Sequence, residues 1–237
     1  MTLKNKMDIF INIIRCYSNL LGYNNSNSKA PYKYYISMGN FCLPRSFLTE
    51  WGIKPRKSEG ELSLPFDLLH IDPIALNYYF LFSFRHFFSN VEFNKEENVF
   101  RSVHGHYRLF NHDKDCGDNF TMLMNRYKNR IANLKKIMKS KENILFVQAC
   151  ENCYMDVDNL YEILRFYRKN NPFKLILLDL CCSKSINKKN INKNITIIKE
   201  PYPTDDYLWW SKDCRKSDAG IDFENRLRKK IEGIIHV

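Results

Sequence analysis

The segment "FKLILLDL" at residues 173–180 decides the fold. Its apolar residues occupy odd and even positions alike, so a strand built from it is apolar on both faces. Such a strand belongs to a parallel sheet covered by helices on each side. "NILFVQA" at 143–149 has the same character, and "NITIIKE" at 194–200 reads as a third strand. Between the first two lies "DVDNLYEILRFYRKNN", residues 156–171, with apolar residues at helical spacing and Asp156 or Asp158 placed to cap it. "IDFENRLRKKIEGII" at 221–235 is a terminal helix. Strands alternating with helices predict a layered α/β, Rossmann-like domain with a mostly parallel sheet.

Upstream, "YYISMGNFCLPRSFLTEWGI" at 34–53 extends the pattern. "YYISM" is a strand, Gly39 breaks it, and Pro44 suits the first turn of a helix, where its missing N–H costs nothing. Phe47, Leu48 and Trp51 share a face, and Gly52 suits the helix exit. Further on, Asp72-Pro73 marks a helix start. "VHGHYRLFNHDKD" at 103–115 reads as a short strand followed by a loop. "FTMLMNRYKNRIANLKKIMKS" at 120–140 is the clearest helix, with Met122, Leu123, Tyr127, Ile131, Leu134 and Ile137 at three- and four-residue steps. The domain expectation is an N-terminal amphipathic helical extension over 1–30 and one α/β domain over 31–237.

Composition narrows the partners. With 44% hydrophobic residues and 17 phenylalanines, the chain has the material for a large core. It has no apolar span long enough for a transmembrane helix. "MDIFINIIRCYSNLLGY" at 7–23 lacks a cleavage site and reads as an amphipathic helix packed on the domain, with peripheral membrane contact as the alternative. The net charge of +11 suits an anionic or glycan-containing partner. No zinc-finger spacing or paired-aromatic RNA motif points to nucleic acid. The eight cysteines, without a secretion signal, read as reduced thiols in a cytoplasmic protein.

The chemistry-bearing residues gather after the strands, where ligands of open α/β sheets bind. Cys42 follows the first strand and precedes a helix whose free N–H groups favour a thiolate or an oxyanion. It is either a nucleophile or a small buried apolar residue. Gly39 and Asn40 form the turn before it and are candidates for substrate contact. His104, His106 and His112 supply imidazoles, with Asp113 beside the last. Asp67, between Phe66 and two leucines, either caps a helix or orients a histidine. Arg126 and Arg130, four apart on one helix face, clamp an anion or brace an acid. Glu151 directly follows a strand. Cys150 and Cys153 with His104 and His106 form only two halves of a zinc signature, so no metal is expected. Nucleotide-binding glycine motifs and the serine-hydrolase elbow are absent, and no cofactor is expected.

Taken in order, the segment at 34–53, then "LPFDLL", "FNHD", "RYKNRIANL" and "ENILFVQA", resembles the family described as papain-like cysteine peptidases, DUF1796. The resemblance covers roughly residues 34–200. It implies Cys42 as nucleophile, with Gly39 before it and Pro65, Phe66 and Asp67 as the "PFD" element. It also implies His112 as the histidine, with Arg126 and Arg130 in the basic helix. The chain departs from the family pattern at Leu68, where tryptophan is usual, and at Gln148, where arginine is usual. A papain-like α+β core is the alternative fold.

The functional expectation is a cysteine-dependent hydrolase or acyltransferase acting on a peptide, ester or amide. Cys42 attacks, His112 is the base, Asp67 or Asp113 orients it, and Gly39, Asn40, His106, Arg126, Arg130 and Glu151 contact substrate. One alternative is a glycan-processing or glycosyl-transfer enzyme that uses Asp67, the arginines and the aromatic loop "KEPYPTDDYLWW" at 199–210, with Cys42 structural. Another is a non-catalytic basic module that binds glycan or nucleic acid.

Overall fold

The computed structural model describes residues 3–20, 31–102, 108–151, 155–169, 171–181, 186–187 and 192–235. Four parallel strands form the central sheet: β1 (Tyr34–Ser37), β6 (Ile144–Cys150), β8 (Phe173–Asp179) and β10 (Ile195–Lys199). Their spatial order is the same as their chain order, and Ser37 lies opposite Val147, Cys150 opposite Asp179 and Lys199 opposite Asp179. The doubly apolar strands therefore do sit in a parallel sheet.

Alternation sorts their side chains into two cores. Ile36, Ile144, Phe146, Leu175 and Leu177 face one side. There they meet α1 (Leu3–Leu20), α3 (Pro73–Leu81), α4 (Phe120–Lys139) and α5 (Val157–Arg168). Leu145, Val147, Ile176 and Leu178 face the other. That side is covered by α2 (Leu43–Glu50), the segment carrying Tyr207 and Trp209, and α7 (Asp218–Ile235), which follows the short α6 (Lys212–Lys216). Helices on both faces are what the strand composition required.

The second sheet is not legible in the strand pattern. It is antiparallel, ordered β2 (His70–Ile71), β5 (Arg108–Leu109), β4 (Val99–Ser102), β3 (Val91–Asn94). Two of its strands have only two residues, too short for a period of two to register. A further two-residue pair joins β7 (Met155–Asp156) to β9 (Ile186–Asn187) in parallel. Of the segment 103–115, read as a short strand followed by a loop, Arg108 and Leu109 are strand within the described residues.

Caps follow the chemistry of short polar side chains. Asp72 accepts from the Ala75 N–H, and Asp156, not Asp158, accepts from the Asn159 N–H. Asn119 opens α4 by accepting from the Met122 N–H. Met122 itself is exposed, so the buried stripe of α4 starts at Leu123. On α1, Met7, Ile11 and Ile14 are buried, while Ile9, Ile13, Tyr17 and Leu20 are exposed.

The end of α4 is closed by an unusual device. Arg168, fully buried, donates from Nη1 to the carbonyls of Ile137, Met138 and Ser140 at 3.2, 2.8 and 2.7 Å. Its Nη2 donates to Glu142 and Pro172 carbonyls at 2.5 and 3.1 Å. Burial lowers its pKa to about 10, which leaves it charged at neutral pH. One guanidinium thus satisfies carbonyls that a helix C-terminus leaves orphaned. Arg168→Met should cost about 3 kcal/mol or more, because it removes a buried guanidinium that meets five carbonyls and takes the side-chain donor from those of Met138, Ser140 and Glu142. A lowered urea midpoint at unchanged slope is the expected readout. Arg168→Lys should recover less than half, since an ammonium lacks the planar fork.

Candidate active site

The turn between β1 and α2 is built from two left-handed residues, Gly39 at φ 79° and Asn40 at φ 71°. Gly39 is obligatory twice over. Its φ disfavours a side chain, and a Cβ placed there would lie 2.4 Å from Ile71 Cγ2. Phe66 Cβ and the Leu69 carbonyl lie in ordinary contact with the same point, at 3.7 and 3.8 Å. The Asn40 amide donates to the Ala149 carbonyl at 3.3 Å, tying the turn to the C-terminal end of β6. Gly39 and Asn40, expected as substrate contacts, shape and anchor the turn.

That anchoring places Cys42 at the N-cap of α2, with Pro44 in the first turn. The first backbone bond of the helix runs from the Ser46 N–H to the Cys42 carbonyl. The N–H groups of Leu43 and Arg45 precede it and lie beside the sulfur's end of the helix, where an anion is favoured. Cys42 is half-buried, and burial pushes its thiol above the usual range, with its own backbone amide opposing.

His112 arrives from the other layer. β5 ends at Leu109, and a turn leads into a short 3-10 segment, Lys114–Cys116, before α4. The Phe110 N–H, bonded to the Phe100 carbonyl, holds this turn to β4. His112 Nε2 then lies 3.2 Å from Cys42 Sγ, across 70 residues of sequence. A raised thiol pKa keeps the proton on sulfur at neutral pH. With Nε2 as the unprotonated ring nitrogen, this separation is the geometry of general-base activation.

Neither expected orienting acid serves His112. Asp113 is buried and fully committed: Oδ1 accepts from Arg126 at 2.8 Å and Arg130 at 3.4 Å, and Oδ2 from the Tyr127 hydroxyl at 2.8 Å. That interaction pushes the Tyr127 hydroxyl well above the usual range, after burial itself. Asp67 is 4% exposed. Its Oδ2 accepts from the Leu64 N–H at 2.8 Å, and its Oδ1 faces Lys54 at 3.7 Å and Arg45 at 3.9 Å. Glu61 joins the same group through Lys54 and Arg45, yet burial keeps its carboxyl above the usual range. Asp67 thus braces the start of α2 through Arg45. Among the described residues, the site is a dyad rather than a triad.

The arginines divide their work. Arg126 grips Asp115 with both arms, at 2.8 and 2.6 Å, besides Asp113, so it braces acids. Arg130 lies 4.6 Å over the Tyr127 ring. Both line an open cleft of about 840 Å³, and His112 forms part of its wall. Glu151 stands elsewhere, half-buried near Tyr202, with its carboxyl raised by burial. His106, with His104 and Cys153, lies outside the described residues. Among the described residues, no group of three or more His, Cys, Asp or Glu side chains could hold a metal ion. Cys150 is wholly buried. In the aromatic loop, Trp209 stacks on Phe41 at 5.7 Å, whereas Trp210 is exposed.

Two substitutions separate bracing from catalysis. Gly39→Ala should lower stability by about 2 kcal/mol or more, from strain at positive φ and collision with Ile71. Asp113→Asn should lower the thermal midpoint while leaving the Cys42–His112 coupling intact, measured as the ratio of Cys42 acylation with and without His112. A selective loss of that ratio would restore Asp113 as orienter. Comparison of the chain with known protein families, curated proteins and solved structures finds no match.

Proposed function

We propose that the protein is a cysteine-dependent hydrolase or acyltransferase. The observation that carries this is the 3.2 Å approach of Cys42 Sγ to His112 Nε2 at the N-terminus of α2. The thiol proton moves to Nε2 as sulfur attacks a carbonyl carbon. The oxyanion forms near the free N–H groups of Leu43 and Arg45, which stabilise it. Collapse breaks the bond to the leaving group, which takes the proton from the imidazolium. Water, or another acceptor, then attacks the thioester and regenerates the thiol. Peptide, ester and amide substrates share these steps.

The ordered resemblance to the papain-like family agrees with the roles given to Cys42 and His112. Such a thiol functions in a reducing compartment, and we propose the cytoplasm. Among the described residues no helix is long and apolar enough to cross a membrane. The glycan-processing alternative loses support because Asp67 faces Arg45 and Lys54 rather than a cleft. A purely binding role is separated by turnover.

The test is acylation by p-nitrophenyl acetate, followed by intact mass and peptide mapping. A single acetyl group should appear on Cys42. His112→Ala should slow its formation by about 100-fold or more, the usual contribution of a general base. Acetyl on other cysteines, or a rate indifferent to His112, would remove the hydrolase reading. The raised thiol also fixes a pH profile: alkylation of Cys42 by iodoacetamide should climb through pH 7 to about 9, roughly tenfold per unit, as the thiolate fraction grows. A plateau near neutrality would instead mean a resting thiolate–imidazolium pair.

A further inference from the structure

The cleft beside the Cys42–His112 pair has an uneven charge balance. Its two carboxylates are spent: Glu61 pairs with Lys54 and Arg45, and Asp115 with both arms of Arg126. Its cations are only partly spent. Lys57 and Lys114 line the cleft, are exposed, and make no ion pair among the described residues. Arg130 gives Nη2 to Asp113 and stacks on Tyr127, but its buried Nη1 has no acceptor. An orphaned guanidinium arm costs stability unless something meets it, and what meets it best is an oxyanion. The fixed stacking on Tyr127 and the bond to Asp113 hold that arm in place beforehand.

We propose, building on the cysteine-hydrolase reading, that this cleft binds an anionic group of the substrate, a carboxylate or a phosphate, and so presents a neighbouring carbonyl to Cys42. Arg130 supplies the directional contact, and Lys57 and Lys114 supply the field. The preferred substrate is an acyl compound that carries negative charge close to its reactive carbonyl. Neutral esters lack this anchor.

Paired alkylating agents test this without a known substrate. Iodoacetate and iodoacetamide react alike with sulfur, displacing iodide, and differ in charge. Peptide mapping should show an iodoacetate-to-iodoacetamide ratio at Cys42 at least about threefold above that at Cys16, the exposed cysteine of α1, at low ionic strength. About 0.5 M NaCl should erase the difference, as should the double change Lys57→Glu and Lys114→Glu at two exposed positions. Equal ratios at the two cysteines, with Cys42 labelled by the neutral reagent, would overturn the proposal. A second measurement is independent of the thiol. In Cys42→Ala protein, NMR signals of the His112 imidazole should shift on titration with phosphate or with acetate, and the stronger of the two identifies the oxyanion. Imidazole signals unmoved by either anion would overturn the anion site. Shifts in Cys42→Ala, together with no labelling of Cys42 by iodoacetamide in the native protein, would keep the anion site and remove the nucleophile.

Discussion

The absence of a side chain at Gly39 is the constraint on which the rest depends. At this point the turn after β1 meets the antiparallel sheet through Ile71 of β2, with Phe66 beside it. Any Cβ would push the layers apart. Because the contact is this close, a turn at the end of β1 and a turn after β5 open onto the same place. Cys42 and His112 are within hydrogen-bonding reach because two sheets are in van der Waals contact a few residues away. The strand order has no reversal, so the crevice does not come from a topological switch point. It comes from the second sheet and the corner leading into α4.

Around that contact the charges are arranged as supports. Lys54, buried, reaches the Tyr35 carbonyl at 2.5 Å as well as Glu61, linking β1 to the polar connector. Asp67 and Arg45 extend the group to α2. Asp113, Arg126, Arg130 and Tyr127 do the same for the turn bearing His112. Each network is costly to desolvate, and breaking one member costs more than the pair contributes. Their effect is positional: each fixes one half of the dyad to its own layer.

The parallel core was legible in the sequence because β6 and β8 are apolar on both faces for seven residues each. Cys42 was legible for a related reason: Gly39, Pro44 and Gly52 punctuate a strand, a turn and a helix. The antiparallel sheet was not, since its pairing joins residues as distant as His70 and Leu109 through two-residue strands. Adjacency of Asp113 to His112 in sequence carries no information about where its carboxylate points. It points back at α4, one turn of which supplies Arg126, Tyr127 and Arg130. The partner network of Arg168 left no sequence signal, for backbone carbonyls have no residue code.

The upward push that burial gives the Cys42 thiol bears on how the protein ages. Peroxide oxidises thiolates rather than thiols, so burial, which favours the protonated sulfur, slows sulfenic acid formation. A cysteine enzyme that rests as an ion pair is vulnerable whenever it waits for substrate. Here burial favours the protonated form, and oxidation waits on a base that takes the proton from sulfur.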